Sequence, residues 1–398
     1  MKVGIPKEIV SDETRVSAIP DTVAKMTKGG MEVLVESGAG DASFIKDEEY
    51  AKAGAKIVST EEVFSSADVI LKVQKPVMND KAKKHEVDMM KEGAILVTFI
   101  QPYANPELAV KLAERKITAF SMDLVPRISR AQMMDALSSM ATIAGYKAVL
   151  LAADNLKKFL PMLSTAAGTI YPAKTIVIGA GVAGLQAIAT AKRLGSVVVA
   201  FDTRPAVGEQ IKSLGGEFVP LEVAHGQAED SGGYAKEMSA DFYKQEQEII
   251  RKHTKDADVV ISTALIPGKP APTLITEEMV KEMKSGSVIV DLSVEQGGNC
   301  MLSEKGKTVV KHNVTIIGPT NLPATLSVHA SQLYAKNILN IVYLLAPDKK
   351  EIKLDMDDEI IKGSMVTHNG EITHAGVKEA VKKANIAYPS GISSRSHW

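Results

Sequence analysis

The chain has 398 residues, of which 45% are hydrophobic and 24% are charged, and its 47 basic and 48 acidic side chains leave a formal charge of −1. These are ordinary values for a globular protein, and they exclude an intrinsically disordered chain, which combines low hydrophobicity with high net charge. The balance of charge argues against a nucleic-acid partner, because proteins that bind nucleic acid carry a basic excess. At about 150 residues per domain, the length predicts two or three domains.

The cysteine content and the apolar runs predict a cytoplasmic protein that does not insert into a membrane directly. The single cysteine, Cys300, can form no disulfide within the chain, which fits a reducing compartment. Met1 is followed by Lys2 and a short strand-like stretch, not by the apolar region of a signal peptide. A membrane helix needs about 20 mostly apolar residues, and the best candidate runs, Ala94–Ile100 and Ile338–Ala346, are far shorter.

The first 125 residues alternate between strand-like and helix-like segments, which predicts a parallel sheet with helices on both faces. The predicted strands are Lys2–Ile5, Glu32–Glu36, Asp68–Val73, Ala94–Ile100 and Ile117–Ser121. The predicted helices run from Asp21 to Lys28 and from Pro106 to Arg115. A stretch rich in Ala, Leu and Met, Ala131–Lys158, predicts one long connecting helix, and Gly168–Pro172 predicts a break after it.

A second series of the same kind begins at Lys174. Its predicted strands are Thr175–Ile178, Ser196–Phe201, Val259–Thr263, Ser287–Leu292 and Thr315–Gly318. A helix from about Val182 to Leu194 follows the first of these strands, and an amphipathic helix, Ser331–Leu345, returns the chain to the first domain.

These patterns predict an α/β protein with two Rossmann-like, doubly wound parallel-sheet domains. The first domain is discontinuous and comprises residues 1–135 and 326–385; the second comprises residues 136–325. Residues 386–398 are rich in Ser and Gly and predict a disordered tail. The polar stretch Glu222–Gln247 is too long for an ordinary connection, and it predicts either a mobile lid or a poorly ordered surface insertion.

The strongest motif is a G-x-G-x-x-G that follows an apolar strand directly and opens a helix: Gly179, Ala180, Gly181, Val182, Ala183 and Gly184. In this context the first glycine makes a tight turn, the second lets the backbone approach a pyrophosphate, and the third lets helix and strand pack closely. The pyrophosphate then meets free N–H groups at the helix N-terminus. The alternative is a glycine cluster that serves helix packing alone.

The end of the next predicted strand supports a dinucleotide site. Asp202 lies 18 residues after Gly184, where an acidic residue would bind the ribose hydroxyls. A carboxylate there repels a 2′-phosphate, so NAD is favoured over NADP, although Arg204 weakens that preference. We include Thr203 between them as a candidate.

Other loops follow predicted strands at the same edge, where doubly wound sheets bind their ligands. Thr263, Ala264 and Leu265 lie after one strand, within a run that continues to Gly268. Ser293–Asn299 follows the next strand, and Asn321 and Pro323 follow the last. Each of these loops is equally consistent with a turn. The histidines lack the spacing of a helical metal pair, and we expect no metal site.

A second candidate cluster lies at the start of the long predicted helix: Arg127, Gln132, Asp135 and Ser138. Residues 132, 135 and 139 would share one helical face. An amide, a carboxylate and a guanidinium together could orient a nicotinamide carboxamide by hydrogen bonds. The alternative is a capping and interdomain ion-pair cluster.

At these motifs the chain resembles the NAD(H)-binding component, domain I, of proton-translocating NAD(P) transhydrogenase along nearly its whole length. The resemblance is carried by five blocks in the family's order: Arg127–Tyr146, Ala166–Leu194, Gly232–Met238, Thr263–Thr273 and Asp291–Leu302. Alanine dehydrogenase has the same fold and is similar over Met1–Pro20, which includes Arg15.

The departures from alanine dehydrogenase distinguish the two relatives. That enzyme has its substrate lysine where this chain has Gln74, its catalytic histidine where this chain has Gln101, and an aspartate where this chain has Glu295. An amino-acid dehydrogenase needs a base that works near neutral pH and a cation for the substrate carboxylate. Two neutral glutamines supply neither, so Arg15 is expected to be a structural remnant or an ion-pair partner.

The resemblance implies that the chain binds NAD(H), that a partner component binds NADP(H), and that hydride passes directly between the two nicotinamides. It further implies a homodimer, with membrane-spanning partner components that hold the chain at the cytoplasmic face of the inner membrane. Whether the chain is a separate subunit or a fragment stays open. The rival functions are an alanine dehydrogenase-like oxidoreductase and a catalytically silent NAD-binding module.

The resemblance also implies roles for particular residues. Asp202 would hold the adenosine ribose, and Tyr234, with Met238, would belong to a loop that closes over the bound nucleotide. The nicotinamide and its ribose would be oriented by the second cluster, Arg127, Gln132, Asp135 and Ser138.

Overall fold

The structure is a computed structural model that describes residues 1–221, 240–266, 269–349 and 351–387. The chain divides into two compact units. Unit 1 contains Met1–Met140 and the segment that begins at Ala324, and unit 2 is Ala141–Pro323. The chain thus leaves unit 1 once and returns to it.

The strands, in chain order, are β1 (Lys2–Ile5), β2 (Glu32–Glu36), β3 (Lys56–Val58), β4 (Val69–Leu71), β5 (Met78–Asn79), β6 (Lys84–His85), β7 (Ile95–Thr98), β8 (Thr118–Ser121), β9 (Leu163–Thr165), β10 (Gly168–Ile170), β11 (Lys174–Ile178), β12 (Val197–Asp202), β13 (Glu217–Pro220), β14 (Val259–Ser262), β15 (Val288–Asp291), β16 (Lys307–Lys311), β17 (Val314–Gly318), β18 (Met365–His368) and β19 (Glu371–Ile372).

The α-helices are α1 (Pro20–Lys28), α2 (Asp47–Lys52), α3 (Thr60–Ser66), α4 (Glu86–Met89), α5 (Pro106–Glu114), α6 (Ala136–Asn155), α7 (Val182–Arg193), α8 (Gly208–Ser213), α9 (Ala240–Thr254), α10 (Glu277–Glu282), α11 (Ser327–Leu345), α12 (Glu359–Ser364) and α13 (Ala375–Lys383). Short 3₁₀ turns occur at Asp41–Ser43, Ser129–Met134, Pro205–Val207, Val294–Gln296 and Leu322–Leu326.

The two main sheets have the same core topology. In unit 1 the strand order is β19-β18-β8-β7-β4-β1-β2-β3, and β18 and β19 add to the parallel strands as antiparallel neighbours. In unit 2 the order is β13-β12-β11-β14-β15-β17-β16, with β16 as the antiparallel edge strand. Each parallel core therefore runs 3-2-1-4-5-6, the doubly wound order, and the predicted fold class is confirmed.

The unit 2 sheet is covered on both faces, as a parallel sheet requires. Along β11, Val177 belongs to one buried cluster, whereas Ile176 and Ile178 belong to another. The side chains of a strand alternate between faces, so these clusters lie on opposite sides of the sheet. This explains why the strands read as continuous apolar runs in the sequence.

The long helix predicted over residues 131–158 is wrong at its start. Ser129–Met134 forms a 3₁₀ turn, and α6 begins at Ala136 because Asp135 caps it. The Oδ1 atom of Asp135 accepts a hydrogen bond from the backbone N–H of Ser138 at 2.8 Å. The break predicted at Gly168–Pro172 is also wrong, since Gly168–Ile170 is the second strand of a β9–β10 hairpin.

Within the described residues, α6 is long and apolar enough to cross a membrane by length and composition, a candidate that the sequence reasoning passed over. However, 39% of its most apolar 18-residue window is buried within the protein. Ala148, Val149 and Ala152 of α6 belong to a core cluster of unit 2. Core helices pass the same test, so length and composition alone are weak indications of a membrane span.

Candidate functional site

The glycine-rich turn after β11 lies where the strand order of unit 2 reverses, between β11 and β14. Gly179 has φ +90°, which favours glycine, and Gly184 packs so closely that a Cβ there would lie 1.8 Å from the Gly179 carbonyl oxygen. Gly181 differs, because a Cβ there would meet nothing within 4 Å. The first and third glycines are thus required by the fold, while the second borders open space.

The N-terminus of α7 points into that space. Gly181 is the N-cap residue, and no side chain of the described residues caps the helix. The first N–H groups of α7 are therefore free of side-chain acceptors, and the helix dipole adds partial positive charge there. Val182 and Ala183, in the first turn, are half-buried. This arrangement fits the pyrophosphate of a dinucleotide.

Helix α6 supports the same turn from within unit 2. A Cβ on Gly145 would lie 2.1 Å from the Ala183 carbonyl oxygen, so α6 and α7 meet in backbone contact at this residue. Sequence reasoning missed Gly145, because a single glycine in an apolar helix has no distinctive pattern.

Asp202 ends β12 beside the glycine-rich turn and is 7% exposed. Its Oδ2 accepts the Ala180 N–H at 2.7 Å and Arg204 Nη2 at 3.0 Å, and its Oδ1 accepts Arg204 N at 2.8 Å and Nε at 2.9 Å. A carboxylate has about four lone-pair sites, and all four are used here. Thr203 lies half-buried between the two partners. The carboxylate predicted to bind ribose is thus paired with Arg204.

The loop after β14 approaches the turn from the neighbouring strand. Thr263 Oγ1 donates to the Gly179 carbonyl at 2.9 Å. Ala264 is held by Asn299, whose Oδ1 accepts the Ala264 N–H and whose Nδ2 donates to the Ala264 carbonyl, both at 3.0 Å. Leu265 is 37% exposed. The structure therefore brings Thr263 and Ala264 to the glycine-rich turn.

The buried Asn299 and Asp291 explain the loop Ser293–Asn299. Asp291 accepts hydrogen bonds from Ser262, Ser293, Cys300 and Ser303, over distances of 2.6 to 3.1 Å. The loop is built around these acceptors. The sequence left it open between a turn and a ligand contact, and the geometry gives it a supporting role.

The second candidate cluster lies in unit 1 around the start of α6. Asp135 Oδ2 accepts a short hydrogen bond of 2.5 Å from Ser138 Oγ, so these two side chains are in contact. Gln132 and Arg127 are exposed. Residues 132, 135 and 139 do not share one helical face as predicted, because the α-helix starts only after Asp135. The capping interpretation is thus correct for Asp135 and Ser138.

The sheet of unit 1 also reverses its strand order, between β1 and β4, and buried ion pairs fill that place. Arg15 Nη2 lies 2.6 Å from Glu13 Oε2, and both side chains are at most 4% exposed. Gln74 Nε2 donates to the same Glu13 oxygen at 2.8 Å. Burial alone would raise the pKa of Glu13, but the bonds from Arg15 and Gln74 lower it. Arg15 is therefore an ion-pair partner, as expected.

A second buried pair lies at the same end of β4. Lys72 Nζ is 3.2 Å from Glu8 and 3.0 Å from Glu86, and the three side chains are at most 3% exposed. Burial raises the pKa of Glu8. Gln101, aligned with the dehydrogenase histidine, is exposed with φ +51°. Each cation at this reversal point already faces a carboxylate of the chain itself.

Some predicted site residues lie outside the described residues: Tyr234, Met238, Pro267 and Gly268, with most of the proposed lid and the C-terminal tail. Within the described residues, no three His, Cys, Asp or Glu side chains lie close enough together to hold a metal ion.

Comparison with known proteins identifies the family. The model "Alanine dehydrogenase/PNT, N-terminal domain" matches residues 4–144, and "Alanine dehydrogenase/PNT, C-terminal domain" matches residues 148–375. The first part of "NAD(P) transhydrogenase subunit alpha", a separate protein in Rhodospirillum rubrum, is 50% identical over 380 residues, which cover 94% of this chain and 98% of that protein. "Alanine dehydrogenase 2" of Staphylococcus aureus is 30% identical over 388 residues, which cover 96% of each chain.

A solved structure agrees with these matches. The crystal structure of transhydrogenase from Sinorhizobium meliloti superimposes with a TM-score of 0.81 at 41% identity, over 94% of this chain and all of that one. The resemblance drawn from the sequence blocks is thereby confirmed. Both domain models and relatives over nearly the full length agree: the chain belongs to the alanine dehydrogenase/PNT family.

Proposed function

We propose that the chain is the NAD(H)-binding component of a proton-translocating NAD(P) transhydrogenase of the Si/Re-specific type. It passes hydride directly between NADH and an NADP⁺ held on a partner component. The observation that carries the proposal is 50% identity to a transhydrogenase alpha subunit over 98% of that protein, against 30% to an alanine dehydrogenase.

The nucleotide is held mainly by unit 2. The pyrophosphate lies against the N–H groups of the first turn of α7, over Gly181, where the backbone borders open space. The adenosine ribose donates its hydroxyls to Asp202, which requires the guanidinium of Arg204 to release at least one carboxylate oxygen, since all four acceptor sites are in use. The other candidate contacts are Ala180, Val182, Ala183, Thr203, Thr263, Ala264, Leu265, Tyr234 and Met238.

The nicotinamide end is oriented by Arg127, Gln132, Asp135 and Ser138. The exposed amide of Gln132 can pair with a carboxamide, which offers one donor group and one acceptor. Asp135 and Ser138 hold each other, so their remaining hydrogen-bonding capacity has a fixed direction.

Bound NADH supplies the hydride. The protein's task is to place one nicotinamide ring at near-contact distance from the other and to exclude water. Gln74, Gln101 and the neutralised Arg15 offer neither a base nor a free cation for an amino-acid substrate. The direct transfer needs neither, because no proton moves on an organic substrate.

The chain works as a homodimer with membrane-spanning and NADP(H)-binding partner components. These partners hold it at the cytoplasmic face of the inner membrane, and the chain itself does not insert. The proposal rests on the relatives being named as subunits of a transhydrogenase.

The decisive experiment mixes the purified chain with an NADP(H)-binding partner domain and follows hydride exchange between NADH and an oxidised NADP analogue. Exchange that needs both proteins supports the proposal. NADH binding without exchange would identify a silent NAD-binding module instead. Pyruvate- and ammonia-dependent oxidation of NADH at a substantial rate would establish the alanine dehydrogenase alternative.

A residue-level test uses Gln132→Asn, which shortens the side chain and keeps the amide. We expect hydride transfer to slow far more than NADH binding weakens, because the change affects ring position. Equal losses in both quantities would contradict the assigned role.

A further inference from the structure

The 3₁₀ turn that carries Gln132 is held in place by the C-terminal return of the chain, entirely within unit 1. Helices α11 and α12 contribute the contacts, although they lie about 200 residues further along the chain. We refer to Asn337, Asn340 and Asp358 together as the return clamp.

The central contact of the return clamp is made to the carbonyl oxygen of Met133. Asn337 Nδ2 donates to it at 2.9 Å, and Asn340 Nδ2 donates to the same oxygen at 3.3 Å. These asparagines are three residues apart and therefore share one face of α11. Two side-chain donors on one backbone carbonyl fix the height and direction of that peptide.

Asn337 keeps this contact at a cost. It is 7% exposed, and within the described residues its Oδ1 is buried without a hydrogen-bond partner. An unsatisfied buried acceptor costs about 1–3 kcal/mol, which an apolar side chain of similar shape would avoid. The fold alone gives little reason for an amide here, so the reason lies in what its donor holds.

The third member of the return clamp fixes the beginning of the turn. Arg130 Nη1 lies 2.6 Å from Asp358 Oδ2, while Asp358 Oδ1 caps α12 by accepting the Ile360 N–H at 2.8 Å. Hydrogen bonding to Arg130 lowers the pKa of Asp358. Nearby, a Cβ on Gly363 of α12 would lie 3.2 Å from Pro126. The segment is therefore held at both ends.

Gln132 depends on this support more than its neighbours do. Asp135 and Ser138 position each other by side-chain bonds, but the side chain of Gln132 has no hydrogen-bond partner among the described residues. Its position is set by the backbone alone, and the backbone immediately after it is the peptide that Asn337 holds. We propose that Asn337, supported by Asn340 and Asp358, is a positioning residue that fixes the amide of Gln132 for hydride transfer. This inference rests on the function proposed above.

The test compares Asn337→Leu with Asn105→Leu. Asn105 is a matched control in unit 1, because it is also 7% exposed and its Nδ2 also donates to a loop carbonyl, that of Gln101, at 2.9 Å. We expect Asn337→Leu to slow hydride transfer to the partner domain about tenfold, since small misplacements of reacting groups have effects of that order or larger. The Kd for NADH should change less than twofold. Asn105→Leu should lose comparable stability with no slowing.

Coupling to Gln132 separates positioning from general destabilisation. In a variant that already carries Gln132→Asn, adding Asn337→Leu should slow transfer less than twofold further, because both changes act through one group. Should Asn337→Leu fail to fold, Asn340→Ala removes the second donor from a more exposed position and should slow transfer two- to threefold. Equal slowing by Asn105→Leu, or full additivity with Gln132→Asn, would overturn the proposal.

The fluorescence yield of bound NADH provides a readout that does not depend on hydride transfer. It reports the surroundings of the nicotinamide and should change with Asn337→Leu but not with Asn105→Leu. If the natural protein passes no hydride to the partner domain, the proposed function fails, whereas this difference still supports the clamp. Unchanged fluorescence yield in Asn337→Leu overturns it.

Discussion

Two glycines of one motif should respond in opposite ways to the same substitution. In Gly184→Ala the new Cβ would lie 1.8 Å from the carbonyl oxygen of Gly179, a backbone atom that cannot turn aside as a side chain can. Helix α7 would have to move away from the turn, at a cost of about 3 kcal/mol. In Gly181→Ala the Cβ meets nothing within 4 Å, and φ of −71° suits alanine.

The stability of Gly181→Ala should therefore stay within about 0.5 kcal/mol of the natural protein. The lower entropy of the unfolded chain offsets the poorer N-cap propensity of alanine. Its methyl group would occupy the space assigned to the pyrophosphate, and we expect NADH affinity to fall at least about tenfold. Urea denaturation and NADH fluorescence titration measure the two effects separately. Natural NADH affinity in Gly181→Ala would refute the placement of the pyrophosphate over α7.

Three further changes test the charges and caps around the site. Burial and the nearby Asp202 raise the pKa of Glu246 in α9 to about 7, so its unfavourable ionisation removes stability as pH rises from 4.5 to 7. Glu246→Gln should then be more stable than the natural protein at pH 8, by up to roughly 3 kcal/mol in urea titrations, with no gain at pH 4; a gain of equal size at both pH values would contradict this cause. Asp202→Asn should weaken NADH binding about tenfold and narrow the preference over NADPH, as ratios of Kd values, because the ribose acceptor loses its charge; an unchanged ratio would argue against ribose recognition. Asp135→Ala should cost about 1 kcal/mol in chemical denaturation through loss of the α6 cap, and no loss would contradict the capping geometry.

The parallel strands could be predicted because they are buried on both faces. A run such as Thr175–Ile178 is apolar or β-branched throughout and differs clearly from the polar segments around it. The edge strand β16, Lys307–Lys311, was missed because most of its residues are exposed and its sequence begins and ends with lysine. The short strands β18 and β19 were missed for lack of length, since four and two residues show no measurable period.

The glycine-rich turn could be placed from the sequence because its meaning is local. Each glycine is explained by atoms of the same turn or of the adjoining strand. The supporting residues could not be predicted in this way. Asn299 holds a loop 35 residues earlier and Asn337 a turn 204 residues earlier, and an asparagine looks the same in a sequence whether it serves a distant loop or a local turn.

The two units use one topology for different purposes, and the points where strand order reverses show the difference. In unit 2 this point is left open, with an uncapped helix N-terminus and a glycine that borders free space. In unit 1 the corresponding point is filled, because Glu13 neutralises Arg15 and two glutamates neutralise Lys72. Removing one member of such a buried pair typically costs 3–5 kcal/mol or so, which makes these charges part of the fold. A chain that needs one nucleotide site and no organic substrate can keep the second reversal point closed, and the return clamp then turns the rest of unit 1 into a support for Gln132.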